Sequence, residues 1–250
     1  MTTTGFAMEW HFIYRGLKAR YRDQRAELQA LLAALSPADV AVDIGAHKGS
    51  YLWSLSRAVP QGRAVAFEPQ PLLADYLLRT CRAAGLNNVI VEAAGVSDRS
   101  GVLKLAIPGQ RTQSPGASFE AAVREREACR IIEVKTASLD EYFSGEASKI
   151  GAIKIDVEGH ELRVLHGAAG VIDAHRPTIL CECEQRHASG DNVAAVLDFM
   201  AGQNYRGFFV DRSKLRPVAE FDLRIHQKQE GDRFWDAPGY CNNFLFKPGP

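Results

Sequence analysis

The chain lacks any excess of one charge. Its 30 Lys and Arg residues are balanced by 30 Asp and Glu, so the formal net charge is zero. That argues against a partner such as nucleic acid, which is gripped through a basic surface. A long hydrophobic run is also missing. No apolar stretch approaches the roughly 18 residues that cross a bilayer. The opening residues, Met-Thr-Thr-Thr-Gly-Phe-Ala-Met-Glu-Trp, hold no basic segment followed by an apolar core, so no secretory leader is expected. Cysteine is scarce and odd in number: Cys81, Cys129, Cys181, Cys183 and Cys241. Most sit inside apolar runs and read as reduced, buried thiols of a cytoplasmic protein. Cys181 and Cys183 would share one face of a strand, but no further ligands stand at the spacing a metal site needs. Internal repeats, low-complexity tracts and a second domain boundary are absent too. What remains is 250 residues, 46% hydrophobic and 24% charged, enough for one globular domain with a substantial core.

The stretch that organises the rest is Val40-Ala-Val-Asp-Ile-Gly-Ala-His-Lys-Gly-Ser-Tyr51. Val40, Ala41, Val42 and Ile44 form a short apolar run, Gly45 to Gly49 give a turn signal, and Leu52, Leu55 and Val59 recur with helical spacing. This is the pattern of a buried parallel strand, a glycine loop and a helix. In open α/β sheets ligands bind just beyond the strand's carboxyl end, which makes residues 43–49 a candidate cofactor loop. The spacing is Gly-x-x-x-Gly, not the dinucleotide fingerprint Gly-x-Gly-x-x-Gly, so the loop alone reads equally as a plain turn in which glycine supplies φ > 0. Glu68 tilts the balance. It ends a second apolar strand, residues 64–68, about 20 residues past Gly49, where an acidic residue accepts hydrogen bonds from ribose hydroxyls. A carboxylate suits that task because it is acceptor-only and takes two hydroxyls at once.

Upstream, Phe6, Trp10, Ile13, Tyr14, Leu17 and Tyr21, then Leu28, Leu31, Leu32 and Leu35, recur at roughly helical spacing. One or two amphipathic helices ending at Ser36-Pro37 make an N-terminal extension over residues 1–37. Its basic residues Arg15, Lys18, Arg20, Arg22 and Arg25 read as a solvated face, and these helices are the candidate site of a homo-oligomer contact. Downstream, residues 72–84 form a helix closed by Gly85. Residues 88–94 form a third strand, followed by Gly95-Val96-Ser97-Asp98, which would flank an adenine bound along the same edge. Residues 102–107 and 130–135 look like a hairpin inserted at about 101–136, and their long connection, 108–129, is a candidate lid.

The second informative stretch is Ile150-Gly-Ala-Ile-Lys-Ile-Asp-Val-Glu-Gly159. A buried-type strand ends in Asp156 and Glu158, and a helix follows with Leu162, Leu165 and Ile172 on one face. Asp156, Glu158, His160 and Glu161 therefore converge on one strand end and helix start. The helix dipole favours carboxylates there, but four ionisable groups within six residues exceed what capping needs and mark a functional site. A fifth strand, residues 178–184, carries Glu182 between two cysteines. Burying a lone carboxylate mid-strand is expensive, so Glu182 is expected to face a cleft. Residues 193–200 form a helix, and 206–210 and 241–246 form the last two strands, with a polar insertion, 211–240, between them.

With these pieces placed, the chain resembles the FkbM-type family of S-adenosylmethionine-dependent methyltransferases. The matching motifs are Val42-Asp-Ile-Gly-Ala-x-x-Gly-Ser-Tyr51, Phe67-Glu-Pro69, Val96-Ser-Asp98 leading to Gly101, Ser138-Leu-Asp-Glu141, and Ile153-Lys-Ile-Asp-Val-Glu-Gly-His-Glu161 followed by Leu165-x-Gly167. The strand holding Glu182 and the closing Asn243-Phe-Leu-Phe246 also fit. The resemblance implies a class I methyltransferase fold over residues 38–250: α/β, Rossmann-like, with a seven-stranded, mostly parallel sheet, an antiparallel last strand and helices on both faces. It implies S-adenosylmethionine as cofactor and S-adenosylhomocysteine as product, and leaves a divalent metal open. It assigns Asp43, Gly45 and Gly49, with Ala46 and Tyr51 of the same loop, to the cofactor site around the methionine part. Glu68 would hold the ribose hydroxyls, Val96 and Ser97 would lie near the adenine, and Asp156 near the cofactor's amino group and the reacting methyl. His47-Lys48 departs from the Asn-rich pair commoner in this loop, and residues 1–35 carry no matching motif.

Methyl transfer from a sulfonium needs in-line approach and exclusion of water. Methylating a hydroxyl also needs a base or a metal to take up its proton. The base candidates are Asp156, Glu158, His160 and Glu182, with Glu158 and His160 favoured at the strand end. The resemblance implies O-methylation of hydroxyls on sugars, glycolipids or polyketides, gripped by segments 108–129 and 211–240. Two other readings stand beside it. An NAD-dependent dehydrogenase would use Glu68 equally well, against the missing Gly-x-Gly-x-x-Gly and the antiparallel-type last strand. A non-catalytic binding module on the same fold predicts no cofactor binding, against the presence of Asp43, Glu68 and Asp156 together.

Overall fold

The computed structural model describes residues 3–23, 25–109, 112–121, 123, 128–187 and 192–250. Of the predicted lid, residues 110, 111, 122 and 124–127 lie outside the described residues, as do 1, 2 and 24 of the N-terminal extension. In chain order the strands are β1 (Val40–Ile44), β2 (Arg63–Phe67), β3 (Val89–Glu92), β4 (Gly95–Val96), β5 (Gly101–Pro108), β6 (Cys129–Ala137), β7 (Ile150–Asp156), β8 (Thr178–Glu182), β9 (Tyr205–Asp211), β10 (Lys214–Pro217) and β11 (Asn243–Pro248). The helices are α1 (Thr3–Lys18), continuing into a π-helical turn over Ala19–Asp23, α2 (Arg25–Leu32), α3 (Leu52–Ala58), α4 (Pro71–Ala83), α5 (Leu139–Tyr142), α6 (Glu161–His166), α7 (Ala169–His175), α8 (Asn192–Gly202) and α9 (Leu223–His226).

The apolar runs become the sheet's interior because helices cover both of their faces. Strands β3, β2, β1, β7 and β8 run parallel in that order, and β11 enters antiparallel between β8 and β9. One face carries the branched side chains Val40, Val42, Ile44, Ile153, Ile155 and Ile179, which pack against α5 to α8 through Leu139, Val164, Leu165, Ile172 and Val196. The other face is built from smaller residues, Ala41, Ala64, Ala66 and Ala152, and is covered by Phe12, Leu28, Leu31, Leu52, Leu55 and Leu77. The alternation follows from the two-residue strand period. The N-terminal helices therefore share a core with the sheet: Phe12, Leu28 and Leu31 are fully buried, and burial of such a side chain is worth about 1.5–3 kcal/mol.

Two features differ from the expected seven-stranded sheet. The main sheet has eight strands, because β10 pairs antiparallel with the edge strand β9. The turn between them places Arg212 (φ 48°) and Ser213 (φ 63°) in the left-handed region, the backbone of a tight hairpin that sequences usually mark with Asn-Gly or Asp-Gly. Here neither marker is present, so the strand hides in what reads as a polar insertion. The second feature is a separate three-stranded sheet, β4-β6-β5, in which the predicted hairpin pairs Gly101 with Thr136 through to Pro108 with Cys129.

Candidate active site

The carboxyl ends of β1, β2, β7 and β8 frame a cavity of about 230 Å³. Its floor is the glycine loop. Gly45 and Ala46 donate their N–H groups to the Phe67 carbonyl, which pins the loop to β2. Gly45 has φ 72°, and a Cβ there would collide with the Asp156 carbonyl oxygen, so no other residue fits. Gly49, with φ 76°, is needed for a different contact: a Cβ would strike the Phe12 ring and Leu77. Ala46, Gly49 and Tyr51 are loop and packing residues beside the cavity; Gly45 lines it. His47 lines it as well and sits at φ 48°, a conformation more often taken by Asn, Asp or His than by other non-glycine residues. That explains how His stands where Asn is commoner. Burial and the neighbouring Lys48 bring the His47 imidazole down to about 4, so it is neutral at neutral pH.

Glu68 is 2% exposed. Its carboxylate accepts the His47 N–H at 2.8 Å and the Gln70 N–H at 2.9 Å. Burial pushes it up to about 7, against the pull of those two donors. Opposite, Lys154 is buried with its Nζ 3.1 Å from the Gly45 carbonyl, 3.1 Å from Asp156 Oδ2 and 3.5 Å from Asp43 Oδ1. Burial alone would strip its charge, but Asp156 and Asp43 outweigh it and hold the ammonium. The same Nζ lies 5.5 Å from the centre of the Tyr51 ring. Asp43 is 1% exposed and burial raises its pKa. Neither of its oxygens has a close hydrogen bond among the described residues; Asp43 lies outside the cavity lining, with the Lys154 ammonium as its counter-charge.

Three carboxylates share the far end of the cavity: Asp156, Glu158 and Glu182. Asp156 and Glu182 are register partners across β7 and β8. Burial and the adjacent Asp156 and Glu158 push Glu182 well up, and Asn242 donates to its Oε1 at 2.7 Å. Glu158 sits at φ 53°, a strained backbone for a non-glycine residue. His187 Nε2 lies 2.7 Å from its Oε2. Burial would lower His187, but Glu158 and Glu184 carry it up to about 9, so a charged imidazolium faces Glu158.

The structure separates His160 from Glu158. Its ring is 3% exposed; Nε2 lies 2.9 Å from Ser97 Oγ and Nδ1 2.7 Å from Glu120 Oε1. Val96 lines the cavity, whereas Ser97 and His160 line a second, larger one, about 520 Å³, behind it. Phe119 lines both. It belongs to a strap, residues 112–121, that crosses the cavity. Gln70 and Ser114 exchange two hydrogen bonds of 2.9 Å, and Ser118 Oγ donates to the Glu158 carbonyl at 2.6 Å. The Phe119 ring lies against Gly95, where a Cβ would meet it.

Several motif residues are scaffold. Glu161 is buried, accepts the Gly159 N–H and the Asn192 amide, each at 2.8 Å, and is pushed by burial to about 7. Asp140 caps α7 by accepting the Gly170 and Val171 N–H groups. Gly167 allows α6 to end against the Ser97 carbonyl. Sequence reasoning missed Lys154, His187 and the strap contacts. Lys154 carries the signal that exposed Glu182, a charge inside an apolar strand; His187 has no local pattern to betray it. Among the described residues no group of three His, Cys, Asp or Glu side chains has a geometry that could hold a metal ion.

The family profile of the methyltransferase FkbM domain matches residues 43–207. The chain belongs to this family. The match opens at Asp43 and closes inside β9, so the N-terminal helices and Asn242 lie outside it. Methyltransferase sdnD of Sordaria araneosa is 34% identical over 152 residues, 50% of this chain and 59% of that protein. The hexuronic acid methyltransferase AglP of Haloferax volcanii is 34% identical over 160 residues, 62% of each chain. The matched region thus spans about three-fifths of the length of these two relatives. Among solved structures, methyltransferase FkbM of Methylobacillus flagellatus superposes with a TM-score of 0.53 at 17% identity, covering 85% of this chain and 44% of that one. At that identity the likeness is one of fold, and the fold is the Rossmann-like methyltransferase class.

Proposed function

We propose that the chain is an S-adenosylmethionine-dependent O-methyltransferase acting on a hydroxyl of a sugar-type or related natural-product acceptor. The observation that carries the reading is the paired placement of Glu68 and the Asp156–Glu158–Glu182 carboxylates at opposite ends of one cavity. Glu68 is an acceptor-only group held rigid by two backbone donors, suited to two ribose hydroxyls. Val96, Leu105 and Phe119 offer an apolar slot beside it for a flat base. The carboxylate of Asp156, which lines the cavity, suits a ligand ammonium, with Asp43 behind it paired to Lys154. Carboxylates with a neutral His47 also suit a sulfonium, because among the described residues no Lys or Arg lines the cavity.

When bound, S-adenosylmethionine supplies a methyl group already activated on sulfur. The chain's own task is then to orient the acceptor and take its proton. Glu158 is the proposed base: it lines the cavity, and its Oε2 lies 2.7 Å from His187 Nε2. Glu182, pushed up by burial and by Asp156 and Glu158, stands beside it on the next strand. The strap excludes water from the slot. Ser97 and His160 act as positioning residues that tie the strap to the adenine end. The sugar-type acceptor draws on the hexuronic acid relative. Calorimetry with S-adenosylhomocysteine and with NAD separates this reading from a dehydrogenase: saturable binding of the first alone is expected, and binding of NAD alone, or of neither, would overturn it. A one-methyl mass shift in a pool of candidate sugars or polyketides would then name the acceptor.

A further inference from the structure

Helix α1 has two faces of opposite character. Inward, Phe12 covers Gly49, and Gly16 rests on Trp53. Outward, Trp10, Tyr14 and Leu17 on α1 and Tyr21 on the turn that follows stand 57%, 62%, 37% and 64% exposed. Steps of four, three and four residues put them in one stripe. Among the described residues, no other element exposes more than one large hydrophobic side chain. An apolar crest of this kind marks a contact surface.

The charge along the crest is predominantly basic. Residues 9–23 contain Arg15, Lys18, Arg20 and Arg22 against Glu9 and Asp23. Arg15 turns inward, its Nε buried. Lys18 and Arg22 each follow a crest residue and Arg20 precedes one, so cations flank the crest on both sides. No helix is long and apolar enough to cross a membrane among the described residues. We infer that this face docks on an anionic lipid surface, with Trp10, Tyr14, Leu17 and Tyr21 entering the interfacial layer and Lys18, Arg20 and Arg22 meeting lipid phosphates. Trp and Tyr favour that layer, and basic side chains beside an apolar stripe are what holds a helix flat on it. A second copy fits worse, because the same segment holds only Glu9 and Asp23 to set against Lys18, Arg20 and Arg22. RNA fits worse too, since its phosphates would meet an apolar crest. The inference stands apart from the methyl-transfer reading.

Vesicle flotation of the full chain tests it. Binding is expected to vesicles of phosphatidylcholine mixed with phosphatidylglycerol and not to phosphatidylcholine alone, and to disappear at high salt. Trp10→Ser/Tyr14→Ser/Leu17→Ser should lose flotation, and each of Lys18→Gln, Arg20→Gln and Arg22→Gln should weaken partitioning about fivefold. Unchanged melting and S-adenosylhomocysteine binding would show that the variants fold. The inference fails if wild type stays unbound to the anionic vesicles, or if the triple Ser variant floats as well as wild type. It fails equally if sedimentation shows a dimer that the triple variant dissolves without any vesicle binding, or if the same face retains RNA in place of vesicles.

Discussion

Glu68 concentrates the cofactor question in one side chain. Ribose hydroxyls donate to an ionised carboxylate, yet burial holds this one up to about 7. Affinity for S-adenosylhomocysteine should therefore tighten as pH rises through about 7, because binding must first release a proton. Glu68→Gln should weaken binding about 10–100-fold, the worth of charge-assisted hydrogen bonds, and flatten that pH dependence; calorimetry across pH reads both. Glu158 and His160 are separable in the same way. Glu158→Gln should lower kcat by roughly 10²–10⁴-fold, the usual cost of losing a general base. His160→Ala should act mainly on the KM for the cofactor, since its ring holds Ser97 and Glu120 rather than the cavity. Steady-state kinetics with a methyl acceptor distinguishes them, and equal loss of kcat in both would undo the assignment.

At the scale of elements, the glycine loop and the strap make opposite demands. The loop tolerates nothing larger: Gly45→Ala combines a left-handed φ with a backbone collision and should cost about 3 kcal/mol or more, visible in chemical denaturation. The strap is held by individual bonds. Glu120→Ala removes its tie to His160 and should speed S-adenosylhomocysteine release about fivefold, matching a bond worth about 1 kcal/mol, as stopped-flow displacement would show. These elements also show how far the sequence can be read. Strands β1, β2, β7 and β8 are plain in it because burial on both faces demands unbroken apolar runs. Glu68 and Asp156 are plain because they stop such runs. Strand β10 is not, because its turn uses Arg212 and Ser213 in place of the usual residues. The strap is not, because Gln70 finds Ser114 across 44 residues, and no local pattern encodes a partner that distant. His160 is misleading: neighbours in sequence to Glu158, it points elsewhere once the chain turns at Gly159, φ 102°.

For the whole molecule, pH acts through two opposed sets of groups. His187 is raised from 6.5 to about 9, so its contribution to stability is complete below 6.5 and is lost as pH rises through 9. Glu184 is brought down from 4.5 to about 2 by His187, Arg186 and Tyr240 against the effect of burial, so its contribution is complete above 4.5 and is lost as pH falls through 2. Glu68 and Glu161, raised from 4.5 to about 7 by burial, favour the protonated native state and cost stability as pH climbs to 7. Together they place the highest Tm of the ligand-free protein between pH 4.5 and 6.5. Differential scanning fluorimetry across pH checks this, and His187→Gln should remove the decline near 9.

The position of β11 carries a consequence in time rather than space. It is last in chain order, yet it lies inside the sheet, between β8 and β9. Until it arrives, β9 and β10 can pair only with each other, and β8 presents an open edge next to Glu182. Pairing of β7 with β8 sets Asp156 beside Glu182 without β11, but the Asn242 donor reaches Glu182 only once this last segment is in place. A nascent chain therefore lacks both Phe244, Leu245 and Phe246 of its core and the Asn242 contact of its cavity until the last strand emerges.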